Sequence, residues 1–383
     1  MRLSRRRLRA RRPARLSRPR LRARRPARLA PLVAAALAAC DGPPPPAPSP
    51  SQAVAVLDSL EGHALTRIAL GSCAEATEPQ RVWDAILRDA PDLYLALGDN
   101  VYGDTEDMSL LRARYWRQEA VPGFAALRRR VPIYGTWDDH DYGVNDGGRE
   151  YPKKAESQQL FLDFLRVPPG SPRRAREGVY DAVLLGPPGR RVHLIALDLR
   201  YHRSPISRPG SGRPYRRDAS PEATMLGDAQ WAWFERELAR PAEVRVVLSS
   251  TALVPPYNGG ESWDNMPLER ERFLRAIAAA APSANLVVSG DRHFGEISAL
   301  DPGPAGPPLY ELAASGLSPS KAGAQNDAND LRVGPPVANQ INYGLVDFEW
   351  AAPEPALVLR LRDEAGRDLV TRRVPMAPAP TAP

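Results

Sequence analysis

Apolar and polar positions along this chain alternate between two periods. Arg67–Ser72 is a short, nearly continuous apolar run of the kind a buried strand makes. Gln80–Ala90 switches to a helical period with Val82, Ala85 and Ile86 on one face, and Leu93–Leu97 predicts a second strand ending at Gly98-Asp99-Asn100. One helix is expected from Met108 to about Leu127. A strand over Val131–Gly135 follows and runs out at Trp137-Asp138-Asp139-His140-Asp141. Lys154–Arg166 places Phe161, Phe164 and Leu165 at i, i+3 and i+4 of a further helix. Tyr180–Leu185 and Val192–Asp198 read as strands. Beyond an irregular Pro/Gly/Arg stretch (about Ser204–Ser220), Asp228–Leu238 is a helix with Trp231, Phe234 and Leu238 inward. Val244–Ser249 and Leu286–Ser289 are strands around a helix near Leu268–Ala280, and the second of them ends at Gly290-Asp291-Arg292-His293. The last quarter reads as strands only: Leu309–Ala314, Tyr343–Trp350, Ala356–Arg362 and Leu369–Val374. An α/β body closing with an antiparallel portion predicts layered sheets with helices outside. Nothing between Thr66 and Val374 has the composition of a linker, so one domain is expected over residues 65–375.

Four separate strands in this pattern end in metal-ligating types: Cys73, Asp99, the Asp138–Asp141 cluster, and Asp291 with His293. In open α/β sheets ligands bind beyond the carboxyl ends of the strands, so these groups are placed to converge on one crevice. A lone Gly-Asp after a strand is usually a turn. Three abutting carboxylates are another matter, because their repulsion is unfavourable unless solvent or a cation offsets it. Of only five His in the chain, two fall in these clusters. Carboxylates favour hard cations, and a thiolate beside them suggests a ferric or zinc site next to a second, harder ion. Two metals about 3.5–4 Å apart would acidify a bridging water and clamp a displacement at phosphorus. Asp99 is the expected bridge, since its glycine neighbour lets the backbone approach closely.

Composition changes the picture mainly at the start of the chain. Fourteen Arg and no acidic residue lie within Met1–Cys40, and the +7 formal charge less those fourteen leaves −7 for the remainder. Bulk attraction to nucleic acid is therefore not expected of the body. Arg2–Ala14 and Arg15–Ala27 repeat each other except at Arg6 against Pro19. An apolar stretch, Leu29–Ala39, ends at Leu37-Ala38-Ala39-Cys40. Residues 1–40 thus read as an Arg-rich leader and secretory signal, with Cys40 at a lipobox-like site. Residues 41–64 begin with six Pro in ten positions and read as a solvated tether, and 376–383 as a disordered tail. The chain has two Cys, so acylation of Cys40 would leave Cys73 without a disulfide partner. No apolar run approaches the roughly 18–20 residues of a membrane span. Membrane association is expected only through the N-terminal anchor.

The stretches Gly71-Ser72-Cys73, Leu97-Gly98-Asp99-Asn100-Val101-Tyr102, Thr136-Trp137-Asp138-Asp139-His140-Asp141, Leu197-Asp198-Leu199-Arg200 and Ser289-Gly290-Asp291-Arg292-His293, in this order, resemble the PhoD-like alkaline phosphatases, a branch of the calcineurin-like metallophosphoesterase superfamily. The resemblance implies a four-layer α/β/β/α sandwich with a C-terminal antiparallel β portion. It also implies hydrolysis of small phosphate mono- and diesters by a metal-bridging hydroxide, with ferric iron and calcium as cofactors; zinc and manganese stay open. Carried over by position, Cys73, Asp99, Tyr115, Asp139, Asp291 and His293 would hold metal, with Asp99 the bridge and Tyr102 the other candidate for a tyrosinate. His140 would protonate the departing oxygen, and Asn100 and Arg200 would meet substrate, unless Arg200 simply pairs with Asp198. Ser249-Ser250-Thr251 stands where relatives in the wider superfamily carry a His, so little metal binding is expected there. The alternative is a catalytically silent lipoprotein that uses the same pocket to bind metal or phosphate. Elsewhere, Trp231, Trp233 and Phe234 are expected in the core and Arg128-Arg129-Arg130 at a solvated helix end. Trp263-Asp264-Asn265, in a Gly-rich loop after Tyr257, is a candidate rim of the crevice.

Overall fold

Alternation within the strands builds the layers. In β1 (Arg67–Gly71) and β2 (Leu93–Leu97), Ile68, Leu70, Leu93, Leu95 and Leu97 point to one side while Ala69, Tyr94 and Ala96 point to the other. In β5 (Val192–Ala196), β6 (Val244–Leu248) and β7 (Ala284–Ser289), Leu194, Ala196, Val246, Leu248, Leu286 and Val288 pack into the same apolar cluster as the first set. Two sheets therefore face each other through these residues. This computed structural model describes residues 57, 60–256, 259–280, 282–301, 307–319 and 328–377. The leader with Cys40, Tyr257, and most of residues 41–64 and 376–383 lie outside the described residues.

Among the described residues each sheet has six strands. The first runs β12-β11-β10-β1-β2-β3 and the second β4-β5-β6-β7-β9-β8. The newly named strands are β3 (Ile133–Thr136), β4 (Asp181–Leu185), β8 (Gly295–Leu300), β9 (Leu309–Ala314), β10 (Tyr343–Glu349), β11 (Ala356–Arg362) and β12 (Asp368–Pro375). β1, β2 and β3 are mutually parallel, as are β5, β6, β7 and β9. The carboxyl ends within each parallel set thus lie along one edge of its sheet. Helices cover both outer faces. On the first sheet these are α1 (Val82–Arg88), α2 (Met108–Ala120), α3 (Pro122–Arg130), the single turn α4 (Asp139–Tyr142) and α5 (Lys154–Phe164), bringing Trp83, Leu111, Phe124 and Phe161 onto Ala69 and Ala96. On the second, α6 (Gly227–Leu238) and α7 (Pro267–Ala279) set Trp231, Phe234, Phe273 and Ile277 against Ile195, Val247 and Val287. The result is a four-layer α/β/β/α sandwich.

Four readings of the sequence change. The helix expected from Met108 to Leu127 is two helices, because Pro122 opens α3 and forces Val121 into an extended conformation. The closing strands make no sheet of their own: β10, β11 and β12 extend the first sheet antiparallel to β1, whereas β9 joins the second parallel to β7. β8, absent from the reading above, is hidden by its small and charged residues; buried Glu296 within it is held by Asn329 and Arg332. Arg128 is also not solvated, since its guanidinium lies over the Phe124 and Phe164 rings at 5.0 and 4.6 Å. Trp231, Trp233 and Phe234 are core.

Candidate metal centre

The chemistry sits at a repeated position. Cys73, Asp99, Asp138 and Asp291 each stand two residues beyond the end of β1, β2, β3 and β7, and Asp198 and Ser250 stand likewise beyond β5 and β6. At that position the chain leaves the pleat, so the side chain no longer has to point into either packed face. Cys73, Asp99 and Asp291 pay for the turn with left-handed backbone, at φ of 65°, 48° and 63°, and His293 joins them at 57°. Gly98, at φ 99°, makes the close approach possible, because a Cβ there would meet the Asp138 Cβ at 2.5 Å.

These turns gather three overlapping sets of ligand atoms, each within 4.8 Å of one another: Cys73, Asp99 and His293; Asp99, Asp139 and His140; and Asp139, Asp146 and Glu261. Asp99 belongs to the first two. The Cys73 Sγ lies 3.4 Å from Asp99 Oδ2 and 3.0 Å from the Ser315 hydroxyl, which also accepts the His293 backbone N–H at 2.8 Å. Tyr102 donates its hydroxyl to Asp99 Oδ2 at 3.3 Å and stands 3.5 Å from His293 Nε2. Asp291 is outside these sets but beside them: burial, then the charges of Asp138, Glu261 and Asp139, push its carboxyl well above the usual range.

Tyr115 corrects the tyrosinate assignment. It lies on the inner face of α2, buried with its ring 5.0 Å from Phe164, and its hydroxyl donates to the Asp141 carbonyl. Tyr102 is the tyrosine at the centre. Arg200 is likewise redirected. Its guanidinium is fully buried, donating to Asp138 Oδ1 at 2.6 Å and to both Glu261 oxygens at 2.7 and 2.8 Å. Asp198 takes the Arg200 backbone N–H instead. The side chain is thus committed to carboxylates rather than open to a phosphate. Asn100 spends its amide group on Asp141 Oδ2 at 2.5 Å and the Thr136 carbonyl, so it fixes the Asp141 turn. Ser250 donates to Asp138 Oδ1 at 2.7 Å and so belongs to the layer behind the centre. Trp263 is core rather than rim, its indole N–H on Ser249. The residues that sequence reasoning passed over are Glu261, Asp146 and Asp104. None follows a strand, and only their partners in space reveal them.

The charge balance describes an environment built for cations. Burial raises Asp99 well above the carboxylate range, and Cys73, Asp139, Asp138 and Asp141 add to it. Burial also lifts Asp138 and Asp141 to about 7 and the Cys73 thiol to about 11. Asp139 is lowered: burial opposes this, but Arg200, His140 and the Asp146 backbone N–H outweigh it. At the centre, Asp99 Oδ1, Asp138 Oδ2 and Asp139 Oδ1 are buried with no hydrogen-bond partner among the described residues. An orphaned buried carboxylate oxygen is costly, and a bound cation removes that cost. The donor set therefore fits metal, with sulfur on one side of Asp99 and oxygen on the other.

His140 stands at the edge of this set. Its Nδ1 lies 2.7 and 2.8 Å from the two Asp104 oxygens, leaving Nε2 for the centre. Burial pulls the imidazole down, yet the Asp104 hydrogen bond and the charges of Asp139, Asp104 and Asp138 carry its pKa above the ordinary value.

The PhoD-like phosphatase profile matches residues 111–343, more than half of the chain. This chain belongs to the PhoD-like phosphatase family. The matched segment holds Asp139, His140, Arg200, Asp291 and His293; Cys73, Asp99 and Tyr102 precede it and join the centre through the fold. Alkaline phosphatase D of Bacillus subtilis (strain 168) is 25% identical over 240 residues, 55% of this chain and 40% of that relative. The chain thus aligns with well under half the length of this curated relative. A solved structure of PhoD superposes with a TM-score of 0.61 at 18% identity, covering 82% of this chain and 73% of the other, a likeness of fold.

Proposed function

We propose that this PhoD-like phosphatase is an exported, metal-dependent phosphoesterase acting on small phosphate mono- and diesters. The observation that carries this reading is the shared position of Asp99, between a sulfur-containing and an oxygen-rich ligand set, with its Oδ1 buried and unpartnered. Cys73, Asp99, Tyr102 and His293 would hold ferric iron, and Asp99, Asp139 and the neighbouring Asp146 would hold calcium. When bound, such ions supply an acidified water and positive charge against the phosphoryl oxygens.

The chain's own residues do the rest. Asp99 keeps the two ligand sets in register through its strained turn. His140, oriented by Asp104, which favours its protonated form, delivers a proton to the departing oxygen as the P–O bond breaks. Arg200 holds Asp139 ionised and Asp138 in place from behind. Secretion and a lipid at Cys40 complete the reading; intact mass of the exported protein tests them, and an unmodified chain retaining the Arg-rich leader would overturn them.

Turnover of p-nitrophenyl phosphate and bis(p-nitrophenyl) phosphate should be abolished by chelator and by Asp99→Asn, with circular dichroism unchanged. Turnover that survives in Asp99→Asn removes the mechanism. Protein that retains metal yet cleaves no ester favours a binding role for the same pocket.

A further inference from the structure

Ser315 stands one residue beyond β9 and is fully buried. Two backbone bonds between the sheets bring it to the centre. The Ser72 N–H donates to the Ala314 carbonyl at 3.1 Å, and the Leu317 N–H to the Ser72 carbonyl at 3.3 Å. The end of β9 in the second sheet is thereby laced to the end of β1 in the first, beside Cys73. A buried hydroxyl has one proton to donate and lone pairs that need donors. Ser315 Oγ accepts the His293 backbone N–H at 2.8 Å and lies 3.0 Å from Cys73 Sγ. The single thiol proton of Cys73 is directed at Asp99 Oδ2, 3.4 Å away, so in the shorter contact Ser315 donates and sulfur accepts. A thiolate has no proton at all, which fixes that direction whenever the sulfur holds a cation. Ser72 is the other hydroxyl at the sulfur, at 3.3 Å, but it also reaches the Ala314 carbonyl at 3.4 Å. An alanine at 315 would fill nearly the same space and make neither bond.

We propose that Ser315 is a positioning residue of the sulfur-side metal site. One hydroxyl joins Cys73, beyond β1, to the His293 turn, beyond β7, and so fixes two ligands that come from different sheets. The acceptor it offers also steadies His293 in left-handed backbone at φ 57°. A hydrogen bond to a ligating sulfur weakens its electron donation, which leaves the bound cation a stronger Lewis acid and raises its reduction potential. The sulfur contact rests on the metal-dependent reading above, whereas the His293 contact is present without metal. Ser315 touches no reacting atom.

Cobalt(II) added to metal-free protein reports the sulfur through thiolate-to-metal absorption, without turnover and whichever ion the native protein carries. Ser315→Ala should move that band to lower energy, and Ser315→Thr, which keeps the hydroxyl, should leave it at the native position. Iron-loaded Ser315→Ala should also be harder to reduce than the native protein. A band unmoved in Ser315→Ala overturns the proposal, because a serine that only filled space would alter stability or metal content and not the sulfur. Amide hydrogen exchange at His293 in metal-free protein reads the second contact. It should be about five- to tenfold faster in Ser315→Ala and native-like in Ser315→Thr, and equal exchange in native protein and Ser315→Ala overturns the proposal. Should the native protein give no cobalt–sulfur band, the metal reading of Cys73 fails; should Ser315→Ala alone give none, the exchange rates decide. In both cases faster exchange in Ser315→Ala supports the clamp and equal exchange removes it. A native protein that shows the band yet cleaves no ester loses the phosphoesterase reading and keeps the Ser315 assignment.

Discussion

Tyr102 and Tyr115 show how much a single residue's surroundings decide. Both follow Asp99 within one short region, and spacing alone does not separate them. Separation comes from packing, because Tyr115 sits on the α2 face that meets Phe164 while Tyr102 stays on the loop above Asp99. Tyr102→Phe should therefore lower bound iron and any visible tyrosinate-to-metal absorption. Tyr115→Phe should leave the spectrum intact and cost about 1 kcal/mol in urea unfolding, the worth of one buried hydrogen bond. Arg200 was legible as a site-proximal arginine, but its partner Glu261 lies 61 residues further on and carries no local signal. Arg200→Ala leaves buried Asp138 without its cation and Glu261 with Arg203 alone. About 3–5 kcal/mol of stability should be lost in chemical denaturation, where a phosphate-binding arginine would instead raise KM. Asp104→Asn should slow turnover about 10- to 100-fold and move the alkaline limb of the pH–rate profile to lower pH, because His140 loses the carboxylate that orients it and favours its protonated form.

Elements carry the regularity that made the centre readable. Each ligand-bearing strand is a short apolar run closed by a polar residue two positions on, and periodicity reports both features. Where elements were misread, the cause is local and physical. Pro122 splits one helical period into two helices, and β8 is short, with Ile297 as its one β-branched residue between Glu296 and Ser298. The turn after β2 offers a direct test of element-end geometry. Gly98→Ala places a Cβ 2.5 Å from that of Asp138 on a backbone at φ 99°. It should cost about 2 kcal/mol in thermal or urea unfolding and displace Asp99, with activity falling more than stability explains.

At the scale of the whole molecule, layered sheets with helices outside were foreseen from the succession of strand and helix periods, and the four-layer sandwich from the family resemblance. The joining of β10 to β1 was not, because antiparallel and parallel neighbours present the same apolar pattern. His193, on the helix-covered face of β5, gives the fold a titratable weak point. Burial, then Arg245 and Arg240, pushes it down to about 3, although Glu237 lies 3.1 Å from Nε2. The unfolded chain takes up that proton near pH 6.5, so the contribution is full above 6.5 and is lost as pH falls towards 3. His193→Gln should show a shallower drop in urea midpoint between pH 6.5 and 4. Everything functional in the proposed reading depends on the sandwich delivering a thiol, carboxylates and imidazoles to one crevice suited to cations. Elemental analysis of natively purified protein tests this most directly. About two metal ions per chain are predicted, with iron lost in Cys73→Ser and both sites depleted in Asp99→Asn; a folded native protein free of metal, or equal metal content in all three, would contradict it.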